Sequence, residues 1–163
     1  MVILGIDPGS RYTGWGVIRV EGNRMVCIDA GRLSLGNSEH AQRLVLIYDG
    51  LSDILNKYQP KAAAIEGVFV HKNAQSALKL GQARGVAMLA CAHHHLLPEE
   101  ISPRSVKQCI TGSGGATKDM VAMMVKRLLH LQKPLSVDAT DALAIAISCG
   151  HMLSSKRKIE EKV

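Results

Sequence analysis

The spacing of apolar residues changes period several times along the chain, and each change marks an element. Residues 1–7 are a short apolar run stopped by Asp7-Pro8-Gly9-Ser10, which predicts a buried strand ending in a turn with an acid at its exit. Residues 13–20 and 24–35 carry β-branched and apolar side chains on either side of Glu21-Gly22-Asn23, so the chain is expected to continue as an antiparallel meander. The period then lengthens. Leu44, Ile47, Leu51, Ile54 and Leu55 share one face of a helix over 40–58, and Pro60 closes it. Residues 61–66 form another short apolar strand that ends on an acid, Glu66, followed by glycine.

A second helix is expected over 73–94, with Gly81 and Gly85 one turn apart. Small residues at that spacing permit close approach of another backbone, either from a second molecule or from the protein's own sheet. Residues 96–101 predict a fifth strand, and Ser102-Pro103 read as an N-cap and first helical residue of a short helix ending near 110. A loop over 112–115, a helix over 118–131 and a last helix over 136–155 follow, before a charged tail at 156–163 that is expected to be disordered. No repeat or linker interrupts this order. It predicts an α/β fold, a mixed sheet covered by helices, in one domain spanning 1–155.

Composition adds where such a domain works. A chain of 163 residues buries enough surface to be stable without disulfides or a structural metal. Cys27, Cys91, Cys109 and Cys149 are too scattered for a disulfide framework or a zinc site. The opening run reaches Asp7 too early for a signal peptide, and no apolar run has membrane-spanning length, so a cytoplasmic location is expected. The net charge of +6 is concentrated between residues 67 and 127, where eight basic residues face three acids. That suits a polyanion, because each cation that neutralises a phosphate releases counterions, although a solvated basic face would look the same.

Four acids stand where carboxylates are costly unless used. Asp7 and Glu66 each end an apolar strand, and neighbouring strands would bring them to one sheet edge. Asp138 and Asp141, three apart at the start of an Ala-rich helix, point from one face, although acids at a helix N-terminus also complement its dipole. Together the four would repel unless a cation neutralised them, and oxygen ligands in this number suit Mg²⁺ or Mn²⁺ and not zinc. Hard cations imply phosphate chemistry, with two ions clamping one phosphodiester. Other signals are weaker. The Gly-rich stretch Thr111 to Lys118 lacks P-loop spacing but could hold a backbone phosphate, and His93-His94-His95 point in different directions on a helix. Phe69, the only phenylalanine, suits either core packing or base stacking.

A further observation is the order in which these motifs occur. Ile3-Leu4-Gly5-Ile6-Asp7-Pro8-Gly9-Ser10 with Thr13-Gly14, then Ile65-Glu66 with Val68-Phe69, then Asn73-Ala74 and residues 76–85, then Arg104-Ser105-Val106-Lys107, and finally residues 138–144 resemble the RuvC family of Holliday-junction endonucleases. The resemblance implies an RNase H-like mixed five-stranded sheet flanked by helices, a homodimer, and paired nicks in opposed strands of a four-way junction during recombination and repair. It places Asp7, Glu66, Asp138 and Asp141 on the family's catalytic and metal-binding acids, with two Mg²⁺ per site and Mn²⁺ as a substitute. It places Lys107 and Lys118 on its basic positions beside the DNA, and Phe69 near the junction centre; Arg104 lies in the same DNA-binding stretch. RuvA and RuvB branch-migration proteins would be partners. Gly67 and Met120 stand where many relatives are expected to carry polar residues.

Two other classes remain open to the sequence. A strand–Asp–x–Gly turn followed by Thr13-Gly14-Trp15-Gly16 also resembles the phosphate hairpin of actin-like and sugar-kinase-like ATPases, but those enclose nucleotide between two such domains and this chain is short. A DNA- or junction-binding module without catalysis would gain nothing from four carboxylates, which weaken DNA binding unless metal covers them.

Overall fold

The computed structural model describes residues 1–67 and 73–160. Three strands open the chain, β1 (Val2–Asp7), β2 (Tyr12–Glu21) and β3 (Arg24–Ser34), and pair as an antiparallel meander. Helix α1 (His40–Tyr58) buries Ile47, Leu51, Ile54 and Leu55. It ends at Gln59, whose left-handed backbone (φ 45°) lets its N–H reach the Leu55 carbonyl before Pro60. β4 (Ala62–Glu66) then lies parallel to β1, and β5 (Glu99–Ile101) parallel to β4, giving the mixed order β3-β2-β1-β4-β5.

Between those strands runs α2 (Ala74–His93), capped by the Asn73 side chain on Ser76 N–H. It buries a stripe of small residues, Ala83, Ala87, Ala90 and Cys91, beside α1 on one face of the sheet. α3 (Pro103–Thr111), α4 (Lys118–Leu128) and α5 (Val137–Glu160) cover the other face, where Leu143, Ile145 and Ile147 of α5 enter the core. The α/β reading and its five strands match the structure.

Two expectations need correction, and one open alternative is resolved. β5 is half the predicted length, because Leu96 turns back into the core and Leu97 is 87% exposed, so only Glu99 to Ile101 reach the β4 ladder. The last helix does not stop at Ser155 but runs on to Glu160, so residues 156–160 are helical and not a disordered tail. Lys156 is anchored by an ion pair to Glu99 at 3.1 Å, a contact invisible to composition. Gly81 and Gly85 do not pack on the protein's own sheet: a Cβ at either would meet nothing within 4 Å.

Candidate active site

Parallel pairing of β1 with β4 sets Ile6 opposite Ile65, so the next residues, Asp7 and Glu66, leave the sheet side by side at one edge. Asp138 and Asp141 arrive from the other direction, on the first turns of α5. What brings that helix down to the strands is the absence of side chains beneath it. A Cβ on Gly14, the partner of Asp7 across β1 and β2, would stand 2.1 Å from the Asp138 carbonyl oxygen; one on Gly5 would stand 2.1 Å from that of Ala142. Ser136 fixes the helix start, its hydroxyl accepting from Ala139 N–H at 3.2 Å.

Electrostatics follow from this crowding. Burial, then the negative charges of Glu66, Asp141 and Asp138, push the Asp7 carboxyl up to about 8, with Lys118 opposing them. Glu66 is raised as well, by burial first and by Asp141 next. The four predicted acids are therefore gathered at one place, where the charges of Glu66, Asp141 and Asp138 bear on Asp7 and that of Asp141 bears on Glu66. Two cations bracket them. Lys118, the first residue of α4, places Nζ 3.3 Å from Asp141 Oδ2, and this partner raises its own pKa. Arg32 on β3 places Nη1 3.4 Å from Asp138 Oδ2.

In this arrangement no three acid, histidine or cysteine side chains among the described residues close around a single point as metal ligands do. Two of the four carboxylates are turned toward Lys118 and Arg32 instead. The donor set still fits hard divalent cations: it is all oxygen, half-buried, and carries more negative charge than its two basic neighbours offset. Each of those neighbours engages only one carboxylate oxygen.

A cavity of about 310 Å³ opens beside the acids, lined by Glu66, Asp141, Lys107, Lys118 and Arg84 over a floor of Val106, Val121 and Ile145. Lys107 also faces a broader groove with Arg104, Gln108 and the loop from Gly112 to Gly115. Gln108 staples that loop, accepting from Gly114 N–H at 2.9 Å and donating to the Gly112 carbonyl at 2.8 Å. The groove thus shares Lys107 with the cavity, which both α3 and α4 border. Phe69 and Val68 lie outside the described residues.

His93, His94 and His95 form no metal site. His93 bonds Tyr48 at 2.5 Å, while His94 bonds the Ala90 carbonyl and Asn56, tying α2 to α1. Two residues escaped the reading of the site from sequence. Arg84, 16% exposed, donates from Nε to the Glu66 carbonyl and pairs with Glu100 at 2.5 Å, fastening α2 to the ends of β4 and β5. Its position in the Gly81–Gly85 motif was the available signal. Arg32 had none, since its partner lies 106 residues away.

A mixed sheet with helices on both faces, acids at the exits of two parallel strands and more acids on the helix laid across them defines an RNase H-like protein. The family model for crossover junction endodeoxyribonuclease RuvC matches residues 3–149. Among curated proteins, the RuvC endonuclease of Enterobacter sp. strain 638 is 48% identical over 98% of this chain and 92% of its own. That of Legionella pneumophila strain Lens is 46% identical over 97% and 91%. Thermus thermophilus RuvC, solved in complex with a Holliday junction substrate, superposes with a TM-score of 0.90 at 29% identity over 96% of both chains. The yeast mitochondrial Holliday junction resolvase Ydc2, 12% identical, shares the fold with a TM-score of 0.65 over 90% of this chain and 76% of its own. This chain belongs to the RuvC family.

Proposed function

We propose that this chain resolves four-way DNA junctions by paired, symmetric, metal-dependent hydrolysis of phosphodiester bonds in opposed strands. The observation that carries the reading is the convergence of Asp7, Glu66, Asp138 and Asp141, from three separate stretches of chain, beside a basic cavity in a RuvC-family fold. Asp7, Glu66, Asp138 and Asp141 would hold two Mg²⁺ ions, with Mn²⁺ able to substitute. Bound there, such ions supply an activated water and a counter-charge for the leaving oxygen.

The chain's own residues account for the rest. Lys107 and Lys118 face the cavity from two helices and would seat the scissile strand by its phosphates, while Arg104 extends that contact along the groove. Lys118 lies against Asp141 and would turn from that carboxylate to phosphate as substrate enters. Arg84 keeps the end of β4, and with it Glu66, in place. Phe69, directly after this strand, would stack on a base at the junction centre.

Paired cuts require two sites, so the working form would be a homodimer. Leu78, Gly81, Gly85 and Leu89 fall on one stripe of α2, turned away from the buried alanines, with Leu78 64% and Leu89 48% exposed. Such a stripe permits close helix approach across a two-fold axis. RuvA and RuvB would be functional partners, and the cytoplasm the site of action; no described helix is long and apolar enough to cross a membrane.

Mobile and synthetic four-way junctions incubated with Mg²⁺ test this directly. Symmetric, sealable nicks are expected with Mg²⁺ or Mn²⁺, and binding with little cleavage in Ca²⁺, whose looser coordination suits a larger ion. Full activity in chelator would refute the metal-dependent reading. Tight junction binding with no cleavage in any metal would favour the catalytically silent module.

A further inference from the structure

We infer that Arg32, held in place by Tyr12, is a positioning residue that fixes the Asp138 carboxylate as a cation ligand and so sets the metal affinity of the site. The inference rests on the metal-dependent reading above. Its basis is a three-residue stack at the outer rim of the acid cluster. Arg32 projects from β3 and Tyr12 from the start of β2, with the guanidinium carbon 4.0 Å from the centroid of the Tyr12 ring. From that platform Nη1 reaches Asp138 Oδ2 at 3.4 Å. Residue 32 stands opposite Gly14 in the β2–β3 ladder, and Gly14 is the residue on which the Asp138 backbone rests. One rung of the β2–β3 ladder therefore carries both the helix seat and the cation that reaches its acid.

Asp138 needs such a restraint. Asp7 and Glu66 are bound to strand ends, whereas Asp138 and Asp141 stand on the first turns of α5, each with its side chain 29% exposed, and each meets one cation, Asp141 with Lys118 and Asp138 with Arg32. Without Arg32 the Asp138 carboxylate would be free to rotate toward solvent and away from the other three. Arg32 takes Oδ2 alone, so Oδ1 stays available as a ligand atom. A nearby cation also repels a divalent ion, and the two effects oppose each other. Arg32 is 44% exposed, so water and salt screen that repulsion strongly. Loss of a residue that orients a ligand typically weakens metal binding by roughly 10- to 100-fold, so positioning is the larger effect. The Tyr12 contact supports this assignment, because a guanidinium already held over a ring loses little further freedom when it pairs.

The test is Mn²⁺ titration of the intact protein without DNA, by calorimetry and electron paramagnetic resonance, with junction cleavage measured against Mg²⁺ concentration in parallel. Arg32→Ala is expected to weaken Mn²⁺ binding by roughly ten-fold and to raise the half-saturating Mg²⁺ concentration similarly, with kcat at saturating metal nearly retained. Tyr12→Ala should show a smaller shift in the same direction, Tyr12→Phe none, and Arg32→Lys partial rescue. The Tyr12 variants leave Arg32 in place, so the inference stays testable even if Arg32→Ala folds poorly. Equal or tighter Mn²⁺ binding in folded Arg32→Ala, with normal binding by the unaltered protein, would overturn this inference alone. Weakened junction binding with unchanged Mn²⁺ affinity would make Arg32 a DNA contact and overturn it as well. Absence of Mn²⁺ binding in the unaltered protein would remove the metal reading itself, and this inference with it.

Discussion

Asp7 shows how much a single residue can reveal about its surroundings. An isolated aspartate ionises near 3.8, and here burial and three acidic neighbours hold the proton on up to about 8. The sign for stability follows from linkage. The folded, metal-free protein binds that proton more tightly than the unfolded chain does, so the contribution is full below the ordinary aspartate range and is lost as pH rises through about 8. Metal-free protein should therefore melt at progressively lower temperature between roughly pH 5 and roughly pH 9, as read by calorimetry. Asp7→Asn, which carries no ionisable group, should flatten that slope, abolish cleavage and leave junction binding intact. A steep slope in Asp7→Asn would assign the titration to another group. Glu66→Gln should likewise remove cleavage without removing the basic contacts. Phe69→Ala should keep the metal site yet cleave intact junctions poorly, since a lost base stack costs roughly 1 to 3 kcal/mol; a junction cleavage assay decides it.

Among the elements, α5 contributes two of the four acids and depends most on what lies beneath it. Its N-terminal turn sits directly on the β2 backbone at Gly14, too close for any Cβ. Gly14→Ala should destabilise the protein by about 1 to 3 kcal/mol in urea unfolding, the usual cost of overpacking. Cleavage should fall further than that loss of folded protein explains, because the helix start carrying Asp138 and Asp141 must lift away from Asp7 and Glu66. Normal cleavage by Gly14→Ala would mean that the helix start is free to adjust. Ser136→Ala removes the hydroxyl that caps the same turn and should cost about 1 kcal/mol with a smaller effect on cleavage.

For the whole molecule, the requirement is a second site. One carboxylate cluster serves one phosphate at a time, whereas a four-way junction has two scissile strands related by a two-fold axis. The α2 stripe is the surface expected to bring two molecules together, and it has no competing role inside the fold: Val86 and Met88 of the same helix pack into the core, while Leu78 and Leu89 do not. For the proposed homodimer, replacing both exposed leucines by glutamate should halve the mass seen by light scattering. It should also convert paired cleavage of a junction into single nicks. Persistence of the dimer in that variant would move the interface to another face.

Much of this was legible in the order of residues, because it depends on local rules. Runs of apolar side chains bounded by Pro and Gly marked the strands, the 3.6-residue period marked α1, and Ser102-Pro103 marked the start of α3. Asp7 and Glu66 stood out because a charged residue at the end of an apolar strand is costly without a purpose. Distance along the chain hid the rest. The reach of Arg32 to Asp138, the hold of Arg84 on Glu66 and the anchoring of Lys156 by Glu99 join residues far apart in sequence, and such pairs leave no periodic trace. Sequence also left open which side of α2 faced outward, since Gly81 and Gly85 suit either packing partner until a helix is seated on a sheet. The acids and their expected crowding were therefore readable from the sequence, whereas the pairing of Asp138 with Arg32 and of Asp141 with Lys118 exists only where β3, α4 and α5 converge.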